Sequence, residues 1–135
     1  MAEKFNESTL NRPEGSRVLD APILLMSLPD YVRQIKNEVA WRDSDRNAIT
    51  LMHNDLLRIV LIALKQGAEM NRHAVEAAIS IQLLSGRIWV ETEAWSYSSE
   101  EGDVIALQSG VPHYVFAEEE SVFLLTLSGN ARGEF

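Results

Sequence analysis

From Ala48 onward the chain is built of short apolar runs, each closed by Gly, Ser, Asp, Glu or Asn. Leu57–Leu64 and Val122–Leu127 are nearly continuous apolar stretches, and Arg87–Thr92, Trp95–Ser98, Val104–Leu107 and Pro112–Ala117 are shorter ones between turn residues. Runs of this length between turn signals suit strands better than helices. Their regular succession predicts an all-β sandwich or barrel. The two continuous runs have the composition of strands covered on both faces, as in a barrel wall that also meets a partner. One segment argues otherwise on propensity alone: Ala68–Leu84, between Gly67 and Gly86, is rich in Ala, Glu, Met and Leu and has a helix-forming composition.

Upstream of the strand runs the pattern changes twice. Met1–Arg17 is polar with almost nothing apolar, so residues 1–17 are expected to form a flexible tail. Apolar residues return at Val18–Leu28, where Pro22 marks an edge-like or irregular stretch. Ser27 followed by Asp30 resembles a capping box, and Val32, Ile35 and Val39 then recur at helical spacing. One short helix is expected over Pro29–Ala40. Residues 18–47 thus form an arm with a helix, and residues 48–130 form the barrel. At 135 residues the chain suits one core.

Composition excludes several classes of function. A net charge of -8 without a Lys/Arg cluster opposes binding to a phosphate backbone, so nucleic acid is not an expected partner. The absence of cysteine removes disulfides, thiolate metal sites and cysteine nucleophiles, leaving oxygen and imidazole for any chemistry. No run approaches the roughly 20 apolar residues of a membrane span, and the N-terminus lacks the apolar core of a secretory signal. The expected location is the cytoplasm, without a membrane partner. No serine elbow, phosphate-cradling Gly-rich loop or paired-carboxylate motif occurs.

Between Gly67 and Ala117 the sequence resembles the two signature motifs of the cupins, in the right order and at the right separation. Gly67, His73 and Gly86 fall on the first motif, and Gly102, Gly110 and His113 on the second. The chain is thus similar to small single-domain cupins of unsettled function. The resemblance implies a cupin-type double-stranded β-helix, or jelly-roll, barrel with one short N-terminal helix. It also implies that His73 and His113 converge inside the barrel on a divalent transition metal such as zinc, manganese, iron or nickel. The family's remaining positions depart from the pattern. Its second His is Val75 here, its Glu falls on Ile79 or Ser80, its Pro is Gln108 and its Asn is Ala117.

Gln82, sharing a strand face with Ser80 and Leu84, is the residue expected to complete a weakened site of His73, His113 and Gln82. Tyr114 and Phe116, flanking the His113 position, and Ser80 are expected to line a pocket. The other aromatic residues, Trp41, Trp89, Trp95 and Tyr97, are expected to pack in the core, and His53 to lie at the surface outside the site. Two functional classes stay open: a small cupin acting on a small organic substrate through a weakened metal site, and a non-catalytic cupin that binds or senses a small ligand without an essential metal. A homodimer is expected, because the apolar segment Val18–Leu28 would gain cover by joining a neighbouring sheet edge.

Overall fold

The protein is described here by a computed structural model covering residues 17–129 and, upstream, the backbone of a short strand, β1 (Lys4–Phe5). β1 runs antiparallel to β2 (Val18–Asp20). Of the expected tail, residues 1–3 and 6–16 lie outside the described residues. Two helices follow, α1 (Leu28–Ile35) and α2 (Val39–Asp43). The strands are then β3 (Arg46–His53), β4 (Leu57–Leu64), β5 (Glu69–His73), β6 (Ile79–Ser85), β7 (Arg87–Glu91), β8 (Ser96–Glu100), β9 (Val104–Leu107), β10 (His113–Ala117) and β11 (Ser121–Ser128). A five-stranded antiparallel sheet in the order β3-β4-β11-β6-β9 faces a four-stranded one in the order β5-β10-β7-β8. This is the expected all-β jelly roll. The helix-prone stretch Ala68–Leu84 holds β5 and β6, because cross-strand pairing and burial override a weak intrinsic preference.

The interior between the sheets is filled from both sides. Val60, Ile62, Leu64, Ile79, Ile81, Leu83, Phe123, Leu125 and Leu127 come from the five-stranded sheet, and Met70, Ile88, Val90, Val115 and Ala117 from the four-stranded one. The alternate residues of β3, β4 and β11 form a second core outside the barrel, where Ile49, Leu51, Leu61, Ala63 and Val122 pack against Ile35 and Trp41. That explains the two-sided apolar runs. The second face of β4 and β11 is covered by the chain's own helices.

The single helix expected over Pro29–Ala40 is in fact two, and buried polar groups explain the break. Asn47, buried on β3, donates its side-chain amide to the carbonyl of Ile35 and to Oε1 of Glu38, each at 2.9 Å. The first of these takes the acceptor that a continuous helix would reserve for Val39. The expected Ser27 capping box does not form: Ser27 makes no side-chain capping bond, and Asp30 pairs with Arg33 instead. Pro29 at the start of the helix removes one of the N–H groups such a cap would use.

Gly86 joins β6 to β7 with φ at +88°, a conformation that favours glycine. A Cβ there would also collide with the carbonyl oxygen of Glu120 and the hydroxyl of Ser121. Ser121 is fully buried, and its oxygen accepts from the Arg87 N–H at 3.0 Å. The close approach therefore ties the β6–β7 hairpin to the start of β11.

Candidate functional site

β10 pairs with β5 so that His113 stands opposite His73 and Val115 opposite Met70, with a register shift between the two pairs. Asn71 and Arg72 together thus oppose the single residue Tyr114. In a regular strand Met70 and His73, three apart, would point to opposite faces. The bulge restores a common face, a recurrent use of bulges for re-aiming a side chain. Both imidazoles are therefore brought together, with ring centroids 4.8 Å apart and planes inclined at 47°.

Each ring is held by the carbonyl of the residue two positions before it. Nδ1 of His73 lies 2.9 Å from the carbonyl oxygen of Asn71, and Nδ1 of His113 lies 3.0 Å from that of Val111. A carbonyl only accepts, so the neutral ring carries its proton on Nδ1 in both cases and leaves Nε2 as a bare lone pair. Nε2 of His73 is buried without a hydrogen-bond partner. Burial pushes His113 below the usual histidine range; the Val111 hydrogen bond acts in the opposite direction, and the neighbouring His73 lowers it further. The His113 ring is thus biased toward the neutral form.

The structure does not bring the other expected residues to this pair. On β6 the inward positions are Ile79, Ile81 and Leu83, so Ser80 and Gln82 lie on the outward face, with Gln82 exposed. On β10 the inward positions are His113, Val115 and Ala117, which leaves Tyr114 and Phe116 outside. The Tyr114 hydroxyl donates to Glu69 at 2.7 Å, and this bond raises its pKa above the usual tyrosine value. The alternation expected on both strands is observed, but the face turned inward is the apolar one, because a barrel interior without partners for polar groups selects Ile, Leu and Val.

The donor set does not fit a resident metal centre of the family type. Stable first-row metal sites take three or more protein ligands. Here the family's other ligand positions carry Val75, packed against the interior cluster, and either buried Ile79 or Ser80 on the outward face. Among the described residues no group of three or more His, Cys, Asp or Glu side chains could hold a metal ion.

A groove of about 560 Å³ opens at the same end of the barrel, lined among others by Arg72, Glu91, Glu93, Trp95 and Pro112. Arg72 and Pro112 each adjoin one histidine in sequence, but the rings themselves do not line the groove. Arg72 and Glu91, both lining it, form an ion pair at 2.9 Å. Trp95, expected in the core, is exposed and lines this groove; Tyr97 on β8, also expected in the core, is exposed elsewhere, whereas Trp41 is buried as expected. A lone aromatic residue near a turn gives no signal of which way it points.

No protein-family model and no curated protein sequence matches the chain. Solved structures do match. A conserved protein of unknown function, SPY1581 from Streptococcus pyogenes, is 26% identical over 64% of this chain and 76% of its own, with a TM-score of 0.61. An RmlC-like cupin from Shewanella frigidimarina is 21% identical over 63% of this chain and 77% of its own, with a TM-score of 0.60. A variant of salicylate 1,2-dioxygenase from Pseudoaminobacter salicylatoxidans is 17% identical, covers 90% of this chain and 36% of its own, and has a TM-score of 0.66. With its two facing antiparallel sheets and these structural neighbours, the chain has the cupin-type jelly-roll fold.

Proposed function

We propose that this cupin-fold protein is a small-molecule-binding module whose ligand meets the His73–His113 pair through a hydrogen-bond donor, without a resident metal. The observation that carries the reading is the buried, unpartnered Nε2 of His73 beside a second imidazole oriented in the same way. A buried acceptor left without a donor costs about 1–3 kcal/mol. A ligand hydroxyl or N–H would recover that energy. Because apolar Val75 and Ile79 pack in the interior cluster, the surroundings suit an uncharged alcohol, phenol or amide better than an anion.

The same bare Nε2 atoms favour a second reading, a weak two-imidazole metal site in a cupin acting on a small organic substrate, since metals also bind the imidazole lone pair. The two readings separate on metal stoichiometry and on ligand binding. Calorimetric titration with zinc, manganese, nickel and ferrous iron is run on the parent and on His73→Ala and His113→Ala, beside a thermal-shift screen of small alcohols, phenols and amides. The proposal expects no metal bound at equimolar micromolar concentration, and a stabilising compound whose effect is lost in His73→Ala. One metal per chain surviving purification and lost in either variant would overturn it in favour of the second reading.

A further inference from the structure

The bulge in β5 leaves two consecutive residues, Arg72 and His73, competing for one place in the barrel. Val115 pairs with Met70 and Phe116 with Glu69. Continued at one residue per step, that register would set Tyr114 against Asn71 and His113 against Arg72. The observed partner of His113 is His73 instead, one residue further on. Met70, Val115 and His113 face inward, so the residue opposite His113 points inward too, and the residue beside it in β5 is turned to the outer face of the sheet. The second imidazole of the pair is therefore present only because the strand takes the irregular register.

Side-chain chemistry separates the two registers. In the regular one the guanidinium of Arg72 would enter an interior of Val, Ile, Leu and Phe side chains, opposite the His113 ring. Burying a cation there without an anion is strongly unfavourable. In the observed register Arg72 lies on the outer face, where its Nη2 donates to Oε2 of Glu91 at 2.9 Å. Glu91 on β7 stands opposite Tyr114 on β10, and Tyr114 stands opposite the bulged residues, so the ion pair reaches over β10 from one neighbouring strand to the other. Inside, Nδ1 of His73 lies 2.9 Å from the carbonyl oxygen of Asn71, the other bulged residue. An exposed ion pair is a weak tie. Exclusion of the Arg72 charge from the apolar interior is the stronger effect.

We infer that Arg72 is a positioning residue of the imidazole pair: its charge holds β5 in the bulged register, so that His73 and not residue 72 faces His113, and Glu91 receives the charge on the outside. The functional weight of Arg72 rests on the pair being the ligand site proposed above. The register itself can be read without a ligand.

The test is a ring-to-ring nuclear Overhauser effect in the full chain carrying isotope-labelled histidine. The chain has three histidines, and the His73 and His113 ring centroids lie 4.8 Å apart, so the parent should give a cross-peak between these two rings. Arg72→Lys keeps the charge and should keep the cross-peak. Arg72→Leu should lose it, because a leucine gains by entering the interior and the regular register then turns His73 outward. Deleting Asn71 from the Arg72→Leu protein removes the extra residue, so His73 regains the inward position in a regular strand and the cross-peak should return. That return separates a change of register from a failure to fold. A role for Arg72 in stability alone would shift the urea midpoint and leave the cross-peak in place. A parent without the cross-peak, a cross-peak kept in Arg72→Leu or lost in Arg72→Lys, or one that the deletion does not restore would each overturn the inference. No ligand enters these measurements, so their failure is distinct from a failure of the thermal-shift screen.

Discussion

The outer faces of the two sheets are built on opposite principles. Outside the five-stranded sheet, Ile49, Leu51, Leu61, Ala63 and Val122 are buried under α1 and α2. Outside the four-stranded sheet there is no such cover among the described residues, and the face carries the Arg72–Glu91 pair, the Tyr114–Glu69 hydrogen bond and the exposed groove. Stability is concentrated in the first sheet, which has an apolar core on each side. The second has a core on one side only, and it supplies both strands that carry the histidine pair. The separation means that the site can vary without unpacking the helices.

The largest expected effect tests that separation directly. Leu61→Ala, on the covered face, should destabilise by about 2–5 kcal/mol in urea melts, as for other buried Leu truncations. Arg72→Ala, on the bare face, should cost no more than about 1 kcal/mol, the range of exposed ion pairs. Comparable losses in the two variants would break the comparison.

Next in size is the polar joint beneath the helices. Asn47→Ala removes the donor to the Ile35 carbonyl and to Glu38, both at the α1–α2 break, and should cost about 1–3 kcal/mol. Hydrogen exchange should show the loss centred on residues 28–43 and not on β5 or β10. Uniform loss would mean that the helices and barrel open together.

The smallest effect is a pH dependence that belongs to the bare sheet. The pKa of His113 is lower folded than unfolded, so between the two values the unfolded chain binds more protons and stability rises with pH. Its contribution should be fully present above the unfolded value of about 6.5 and decline as pH falls from there toward the lowered folded value. Urea melts from pH 8 downward should show this slope in the parent and a shallower one in His113→Asn. Equal slopes would remove His113 from the acid sensitivity.

Much of the candidate site was legible in the chain: Gly67, His73, Gly110 and His113 keep the spacing that places two imidazoles on neighbouring strands. Gln82, Ser80, Tyr114 and Phe116 were misplaced because alternation tells which residues share a face but not which face turns inward. On β6 that choice fell to the apolar set Ile79, Ile81 and Leu83.

By itself the sequence determined the strand runs, the turn glycines and the presence of helix before the barrel, since these depend on local periodicity and backbone freedom. Three features were decided only in the tertiary structure. The bulge opposite Tyr114 depends on pairing between residues 40 positions apart, His73 and His113. The break between α1 and α2 depends on an amide arriving from β3 to take the Ile35 carbonyl. The cover on β4 and β11 depends on where the helices dock. Each rests on contacts between distant segments, and such contacts leave no period in the chain.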